Sequence, residues 1–416
     1  MENFDLGIVG GGPAGYTAAF QARKKDLSVV LFEKDELGGV CLNRGCIPTK
    51  TILHSAEIFE EMQNSSESGI EADNLRVDFS KVMAHKDKVV EKLRKNLTLA
   101  LKNSGTTVIK EFAEILDSHT VKAGGQIYHC EKIISAAGSV PADLPSVKFD
   151  GKFILNSDDI LNLKELPKSI VIAGSGAIGT EWARIFASFG VDVTVAEFAP
   201  HLLPNADVEV SKRLERIFKN KKIKYYTSTE VEKVEIADNS GVKVHLSNGE
   251  TLESDYILLA TGRKPPECEK IDGVKYIGDA AGSIQLAHYA IRQALNEVGK
   301  VFYDEKLIPS VIYGCPEIAW AGLREQDLEE GSYQKSVFLI SALGKSHCDN
   351  CTDGFVKILS RQGLIIGAHI VSKEASALIE QLIIAMQNKI PAGKLAETCF
   401  AHPTYSEGVF ECLCNL

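Results

Sequence analysis

The sequence lacks the features that mark membrane, secreted and nucleic-acid-binding proteins. No apolar run approaches the roughly 20 residues that a bilayer-spanning helix needs. The N-terminus runs directly into an apolar strand pattern, with neither a basic start nor a cleavage site, which disfavours secretion. The net charge is -10 with no block of like charges, whereas nucleic acids and anionic membranes bind basic patches. We therefore expect a cytoplasmic protein with no nucleic-acid and no membrane partner.

The composition is otherwise that of an ordinary globular protein. The chain has 416 residues, of which 44% are hydrophobic and 25% charged, enough for two or three packed domains. Its ten cysteines do not form a disulfide framework in a reduced compartment, where most thiols are buried or inert. We expect four of them to act simply as small apolar residues: Cys130, Cys268, Cys315 and Cys399.

A pattern of strand, glycine-rich turn, helix and strand occurs twice, at residues 4–34 (the first unit) and 169–198 (the second unit). Both turns fit G-x-G-x-x-G, and in both an acid follows 23 positions after the first glycine (33 − 10 and 197 − 174). The residues concerned are Gly10, Gly12, Gly15 and Glu33 in the first unit and Gly174, Gly176, Gly179 and Glu197 in the second.

This spacing is what a dinucleotide requires. The first glycine turns the chain sharply, the second lets the backbone approach a pyrophosphate, and the third packs helix against strand. The helix N-terminus stabilises the phosphate charge, and the acid accepts hydrogen bonds from a ribose. One such match would often be a plain turn, but two in the same context predict two bound dinucleotides.

The residues after the second acid indicate which nicotinamide coenzyme is used. The sequence FAPHLLP, which follows Glu197, contains no Arg or Lys to neutralise a 2′-phosphate. The carboxylate itself would repel that phosphate. If the second unit binds a nicotinamide coenzyme, we expect NAD rather than NADP.

The stretch GGVCLNRGCIPTK, residues 38–50, places Cys41 and Cys46 five positions apart among glycines. Pro48 suits the first turn of a helix, so we expect Cys46 near a helix N-terminus, where a thiolate is favoured. Two buried thiols in a glycine-rich loop are the alternative.

Six motifs in a fixed order extend this pattern over nearly the whole chain. They are GGGPAG at residues 10–15, GGVCLNRGCIPTK, GSGAIGTEWA, ATGRKP, GDAAG and HPTYSE. In this order the chain resembles the FAD-dependent pyridine nucleotide-disulfide oxidoreductases, and within that family the enzymes that oxidise dihydrolipoamide with NAD.

The resemblance implies an α/β fold with two Rossmann-like dinucleotide-binding domains and a C-terminal α+β dimerisation domain. The expected boundaries are 1–145 for the first part of the FAD domain, 146–265 for the NAD domain, 266–306 for the return to the FAD domain and 307–416 for the dimerisation domain. The segment between ATGRKP and Tyr276 is shorter than is usual in the family, so the position of the return segment needs the structure.

The resemblance also implies the redox centre. Cys41 and Cys46 are expected to form a redox-active disulfide, with Cys41 meeting the substrate and Cys46 contacting the flavin. Lys50 and Glu181 are expected to form an ion pair near the reactive nitrogen of the flavin.

His402 resembles the acid-base residue of the family, and Glu407 resembles its orienting partner. Independently of the family, an imidazole titrates near neutrality and a neighbouring carboxylate fixes its tautomer and raises its basicity. A helix start with an acid in its first turn is the ordinary interpretation of a lone His followed by Glu.

The expected cofactors are FAD in the first unit and NAD in the second, and no metal is expected. By resemblance, Glu33 binds the adenosine ribose of FAD and Asp279 its ribitol. The cofactor-binding candidates in chain order are Gly10, Gly12, Gly15, Glu33, Lys50, Gly138, Gly174, Gly176, Gly179, Glu197, Gly262, Asp279 and Ala280.

The resulting hypothesis is a homodimeric enzyme that returns the lipoyl groups of 2-oxoacid dehydrogenase or glycine cleavage complexes to the disulfide. A reductase working in the other direction, on glutathione disulfide or Hg(II), is one alternative, and a non-catalytic flavoprotein is another. Two further cysteine pairs stay open. HCDNC, with Cys348 and Cys351, is interpreted as an exposed loop, while Cys412 and Cys414 would suit a C-terminal redox pair.

Overall fold

The computed structural model describes residues 2–237, 241–267 and 269–416, and Cys268 lies outside them. The strands are β1 (Glu2–Val9), β2 (Val29–Phe32), β3 (Thr107–Ile109), β4 (Ala113–Ile115), β5 (Thr120–Ala123), β6 (Gln126–Ser135), β7 (Val140–Pro141), β8 (Ile154–Leu155), β9 (Ser169–Ala173), β10 (Asp192–Ala196), β11 (Lys224–Tyr226), β12 (Val231–Ile236), β13 (Val242–Leu246), β14 (Thr251–Ser254), β15 (Tyr256–Leu259), β16 (Arg263–Lys264), β17 (Lys275–Tyr276), β18 (Ser310–Ile312), β19 (Glu317–Gly322), β20 (Gln334–Leu339), β21 (Phe355–Arg361) and β22 (Leu364–Ser372).

The helices are α1 (Pro13–Arg23), α2 (Gly39–Arg44), α3 (Cys46–Gln63), α4 (Phe79–Asn103), α5 (Ala177–Ser188), α6 (Val208–Asn220), α7 (Ala287–Gly299), α8 (Gly344–Cys348), α9 (Ala375–Gln387), α10 (Ala392–Ala396) and α11 (Ser406–Cys414). Within the described residues, no helix is long and apolar enough to cross a membrane.

The first unit forms the centre of a sheet with the strand order β3-β2-β1-β6-β5-β4. Strands β1, β2, β3 and β6 run parallel, and helix α1 crosses from β1 to β2. The turn is tight, because a Cβ on Gly15 would overlap the carbonyl oxygen of Gly10. Only glycine therefore lets α1 approach the strand so closely, and its alanines pack into the same core.

The second unit repeats this plan in a sheet with the order β11-β10-β9-β15-β8. A Cβ on Gly179 would overlap the carbonyl oxygen of Gly174, as at the equivalent position of the first unit. An antiparallel three-stranded sheet, β12-β13-β14, lies beside it. Helix α5 is buried over most of its length, from Gly179 to Phe186.

After the second unit the chain returns to the first sheet. The short strand β17 pairs in parallel with β6, and α7 packs against α1. The return is thus made despite the short segment that precedes Tyr276. The domain boundaries given above stay a prediction.

The C-terminal region is an antiparallel sheet with the order β18-β19-β22-β21-β20. The strands of this sheet all lie after residue 309. Helix α9 packs on β19 and β22 through Leu378, Ile379 and Leu382, whereas Ile384 on its other side is 55% exposed. The mixed α/β architecture expected from the sequence is confirmed.

Candidate active site

Cys41 and Cys46 are joined as a disulfide with their Cα atoms 4.6 Å apart. Cys41 lies in α2, and Cys46 is the first residue of α3, an 18-residue helix. Gly45 precedes α3 and supplies no side-chain cap, and the first turn contains no acidic residue, so no carboxylate of that turn competes for its backbone N–H groups. A helix N-terminus carries partial positive charge, which favours a thiolate at Cys46 when the disulfide opens.

One turn further along α3, Lys50 crosses to the second unit. Its Nζ lies 2.8 Å and 2.7 Å from the two carboxylate oxygens of Glu181 on α5. Glu181 is buried, with 3% of its side chain exposed, while Lys50 is 32% exposed. Tyr313 completes the group, because its N–H donates to Glu181 at 3.2 Å and its ring centroid lies 4.7 Å from Lys50 Nζ. Sequence reasoning missed Tyr313, since nothing local links residue 313 to residue 50.

His402 and Glu407 lie together at the start of α11. His402 Nδ1 lies 2.7 Å from Glu407 Oε1, and the Thr404 N–H donates to Glu407 Oε2 at 2.9 Å. The hydrogen bond from His402 lowers the pKa of Glu407. A carboxylate can only accept, so Nδ1 carries the proton and Nε2 is left to exchange one. The His402 side chain is 78% exposed, so Nε2 is open to another molecule.

A cavity of about 1950 Å³ opens beside the disulfide. Among the expected site residues, its walls include Gly10, Gly12, Glu33, Cys41, Cys46, Lys50, Gly138, Glu181 and Asp279. The disulfide and the first unit therefore face one space. Of the described residues, neither His402 nor Glu197 lines it.

The first unit has the shape that a dinucleotide needs. A Cβ on Gly12 would meet only Gly39 Cα, at 3.7 Å, and one on Gly138 would meet nothing within 4 Å. Gly12 also leaves the N-terminus of α1 without a side-chain cap. The space in front of these N–H groups is thus open to a pyrophosphate, which fits FAD.

Glu33 and Asp279 both line the cavity in front of this turn. Glu33 Oε2 accepts from the Gly11 N–H at 2.8 Å, and Asp279 Oδ2 accepts from the Ser139 hydroxyl at 2.5 Å. Arg263 donates to the Ser139 hydroxyl at 3.0 Å and so supports the same pair. Ala280, the next residue after Asp279, is buried.

Ser139 and Arg263 were not assigned a role from the sequence. A signal existed for both, because Ser139 follows a central parallel strand, where ligands bind, and Arg263 belongs to ATGRKP.

In the second unit, the space in front of the glycine turn is also open. A Cβ on Gly176 or on Gly262 would meet nothing within 4 Å, and α5 begins without a side-chain cap. Glu197 is 7% exposed and accepts from the Ser175 N–H at 2.7 Å and from its hydroxyl at 2.6 Å. These residues fit a second dinucleotide.

The remaining cysteines only partly match expectation. Cys130 is buried as expected, but Cys399 is exposed and Cys315 is half-buried, so these two are not simple core residues. The interpretation of HCDNC as an exposed loop was wrong in two respects, because His347 and Cys348 end helix α8 and Cys351 is buried; only the exposure of Cys348 agrees with it. In α11, Cys412 is buried and hydrogen-bonds the Ser336 carbonyl, while Cys414 is exposed. Cys412 and Cys414 are both free thiols in the structure.

Comparisons with known proteins agree with this geometry. The family model "Pyridine nucleotide-disulphide oxidoreductase" matches residues 4–289, and the dimerisation domain of the same family matches residues 308–412. The chain is 33% identical to a dihydrolipoyl dehydrogenase of Bacillus subtilis, over 98% of this chain and 97% of that protein. It is also 33% identical to a dihydrolipoyl dehydrogenase of Chlamydia pneumoniae, over 98% and 95% of the two chains.

Among solved structures, LpdA of Mycobacterium tuberculosis superposes with a TM-score of 0.92 at 24% identity, over 100% of this chain and 99% of that one. At that identity the likeness shows the fold alone. The two family models together span most of the sequence, and full-length relatives exceed 30% identity. The chain is therefore a flavoprotein disulfide oxidoreductase that uses FAD and NAD, and it belongs to the pyridine nucleotide-disulphide oxidoreductase family.

Proposed function

We propose that this enzyme oxidises dihydrolipoamide to lipoamide with NAD. The observation that carries the proposal is the Cys41–Cys46 disulfide, which starts a long helix and faces the same cavity as the first dinucleotide unit. A dithiol substrate matches such a disulfide because thiol–disulfide exchange conserves the number of S–S bonds. The relatives named dihydrolipoyl dehydrogenase support this choice over glutathione disulfide or Hg(II).

The order of the thiol–disulfide exchange steps follows from the different positions of Cys41 and Cys46 relative to helix α3. A substrate thiolate attacks Cys41 Sγ, a mixed disulfide forms and Cys46 leaves as a thiolate at the N-terminus of α3. The second substrate thiolate then attacks the mixed disulfide, closing the lipoamide ring and releasing Cys41. Cys46 is the better leaving group because the helix end favours its thiolate. The open glycine turn of the first unit, with Glu33 and Asp279, would hold FAD, which would supply the two-electron redox chemistry between the dithiol and NAD.

His402 serves this exchange as the base that takes a thiol proton at Nε2, with Glu407 holding the imidazole in place. Lys50 positions a positive charge at the wall of the cavity, and buried Glu181 keeps Lys50 fixed there. The His402–Glu407 pair moves a proton and the Lys50–Glu181 pair holds a fixed charge, whereas electron transfer is the chemistry of the cofactors.

The proposed enzyme is a homodimer whose active sites are shared between subunits. Two observations support sharing: His402 is 78% exposed, and it does not line the described cavity that contains Cys41. A two-fold axis would bring His402 of each chain to the disulfide of the other. The exposed Ile384 on α9, in the part of the chain that matches the dimerisation domain, supplies apolar surface for such a contact.

The substrate assignment is tested by a steady-state panel on the FAD-loaded protein. We expect NADH formation from dihydrolipoamide, and in reverse NADH oxidation with lipoamide but hardly any with glutathione disulfide. Cys41→Ser should abolish both directions, whereas Cys348→Ser, which alters an exposed thiol outside the site, should leave them unchanged. Faster turnover with glutathione disulfide than with lipoamide would contradict the proposal.

The sharing of active sites between subunits is tested separately from the identity of the substrate. Homodimers of Cys41→Ser and of His402→Ala should each be nearly inactive. Their isolated heterodimer should regain one intact site, because the unaltered Cys41 of one chain meets the unaltered His402 of the other. A flavin-replete heterodimer without recovered activity would refute sharing while leaving the reaction itself intact.

The expected macromolecular partner is the lipoyl domain of a 2-oxoacid dehydrogenase or glycine cleavage complex, and the expected location is the cytoplasm. Lipoylated domains carry the dithiol that the site consumes. Replacing free dihydrolipoamide by a reduced lipoyl domain should therefore lower KM without changing the need for Cys41.

A further inference from the structure

A second pair of thiols lies outside the described active site. Cys315 Sγ and Cys351 Sγ are 3.5 Å apart although the residues are 36 positions apart in the chain. Cys315 follows β18 in the loop before β19, and Cys351 follows α8. Both are free, Cys315 half-buried and Cys351 9% exposed.

The neighbour of this pair is a buried guanidinium. Arg184 on α5 is 2% exposed and donates to the carbonyls of Tyr313 and Pro316. Among the described residues, no carboxylate lies within ion-pair distance of it. A buried charge is costly unless neighbouring charges balance it. Burial lowers the pKa of Arg184, and the charge of Cys315 opposes this most strongly, followed by those of Glu57, Glu60 and Glu181.

The loop around Cys315 is shaped to admit this guanidinium. A Cβ on Gly314 would overlap the Arg184 guanidinium carbon, so only glycine at this position lets Arg184 lie against the loop. The sequence thus places a permanent positive charge beside Cys315.

We propose that Cys315 and Cys351 form a second dithiol site, in which Cys315 is a thiolate paired with Arg184 and reacts with small hydroperoxides, and Cys351 resolves the product to a disulfide. The electrostatics agree with the geometry. A hydrogen bond from Cys351 and the charges of Arg184 and Lys221 lower the pKa of Cys315 against the effect of burial. Bonding to Cys315 and burial raise the pKa of Cys351, which keeps it a thiol.

The chemistry balances with hydrogen peroxide as the oxidant. The Cys315 thiolate attacks one peroxide oxygen, an S–O bond forms, the O–O bond breaks and hydroxide leaves. This hydroxide becomes water by taking up from solvent the proton that Cys315 released on ionising. The resulting sulfenic acid is then attacked by the Cys351 sulfur, so that an S–S bond forms and the S–O bond breaks. The second hydroxide takes the Cys351 proton, giving two waters for two electrons lost by sulfur. The partial burial of the pair selects a small oxidant over a bulky disulfide.

The test uses the full-length, FAD-loaded protein treated with one equivalent of hydrogen peroxide. Remaining thiols are blocked with iodoacetamide and disulfide-linked peptides are identified by mass spectrometry. We expect a Cys315–Cys351 link, with exposed Cys399 and Cys414 still alkylated. In Cys351→Ser the reaction should stop at Cys315 sulfenic acid, trapped by dimedone.

Two matched variants separate this site from its neighbours. Cys348→Ser alters the other thiol of the C-x-x-C pair and should leave the link unchanged. Arg184→Met should slow alkylation of Cys315 about tenfold at neutral pH, whereas Arg184→Lys should largely keep the rate. Flavin content and the native Cys41–Cys46 link confirm that each variant has folded.

Three results would overturn the proposal. They are a Cys348–Cys351 link in place of the expected one, dimedone on Cys348 rather than Cys315, or oxidation of Cys399 before any link forms. None of them bears on dihydrolipoamide turnover, which the Cys41–Cys46 pair carries.

Discussion

In both dinucleotide units a carboxylate ties the end of the second strand to the glycine turn, but the surroundings of the two carboxylates differ. Glu33 accepts two hydrogen bonds from the protein, from the N–H groups of Gly11 and Asp35, and lines the large cavity. Glu197 accepts three, two from Ser175 and one from the Ala199 N–H, and is nearly buried.

This difference has a physical consequence. A carboxylate offers about four acceptor positions, so Glu33 keeps about two for a ligand and Glu197 about one. A ribose can therefore be held by two hydrogen bonds in the first unit and by one in the second. The first unit suits a cofactor that stays bound and the second a coenzyme that must leave after each turnover.

The second unit is also fixed to the C-terminal sheet. Buried Lys357 on β21 lies 2.8 Å from Asp207, which caps α6 just beyond the second unit, and 2.7 Å from Glu209. His369 and Glu325 complete this cluster. The second unit is thus anchored to the C-terminal sheet by buried charge.

The largest expected effect is the almost complete loss of FAD from one of two glycine-turn variants. Gly12→Ala and Gly176→Ala add a Cβ that meets almost no protein atoms, so both proteins should fold, but each Cβ fills the space for a pyrophosphate. Gly12→Ala should be purified almost without FAD. Gly176→Ala should keep FAD and raise KM for NAD at least about tenfold, equivalent to 1.4 kcal/mol.

Gly393→Ala is the control, because its added Cβ also meets nothing within 4 Å but lies in α10, far along the chain from either turn. Flavin absorbance per chain and coenzyme kinetics distinguish the variants. Equal loss of FAD from both turn variants would show that the first unit is not specialised for FAD and the second for NAD.

The next effect concerns the ion pair that links the units. Lys50→Met leaves the buried Glu181 carboxylate without a counterion, with only the Tyr313 N–H as a hydrogen-bond partner among the described residues, and should cost about 3 to 5 kcal/mol of unfolding free energy. Glu181→Gln should cost less, because the freed Lys50 is 32% exposed and can reach water. Urea unfolding of the FAD-loaded proteins measures both, and the reverse order would contradict the geometry.

The buried anchor of the second unit predicts acid sensitivity. Burial lowers the pKa of His369 to about 4, below its ordinary value of 6.5. The unfolded chain therefore binds a proton between these values that the folded chain does not, so stability falls as pH drops from 6.5 towards 4. His369 should account for up to about 3 kcal/mol of this loss.

Urea unfolding at several pH values measures the slope, and His369→Gln should flatten it. An unchanged slope in that variant would assign the acid sensitivity to other groups. Burial raises the pKa of Glu325, but hydrogen bonds from Lys335, Lys357 and Tyr333 and the charge of Lys357 outweigh it and lower the pKa to about 2, so that carboxylate contributes only at still lower pH.

The smallest effect concerns coenzyme choice. Glu197→Gln removes the charge that repels a 2′-phosphate and should weaken NAD binding by about 1 kcal/mol. The NADH preference over NADPH should shrink accordingly, and an Arg introduced nearby should shift it further. Glu235→Gln, an exposed acid on β12, is the charge-matched control. Wild-type protein that used both coenzymes equally would make this role of Glu197 wrong.

Much of this architecture could be predicted because its signals are local. The glycine turns, the acids 23 positions later and the alternating strands each depend on a few neighbouring residues, and the structure has the corresponding elements.

What the sequence could not supply are contacts between distant segments. The approach of Tyr313 to Lys50, the pairing of Cys315 with Cys351, and the burial of Lys357 depend on how separate sheets pack. No periodic pattern in the sequence predicts these contacts. The roles of the site residues remain predictions for the same reason, since they depend on cofactors and on a second subunit.

The central claim is that one unit serves the dithiol half of the reaction and the other the NAD half. The most direct test mixes FAD-loaded Gly176→Ala protein anaerobically with dihydrolipoamide, counts alkylatable thiols, and separately follows NADH formation at low NAD. We predict that Cys41 and Cys46 become alkylatable as in the wild type while NADH formation falls about tenfold or more. A disulfide that stays closed, or NADH formed at the wild-type rate, would contradict this division.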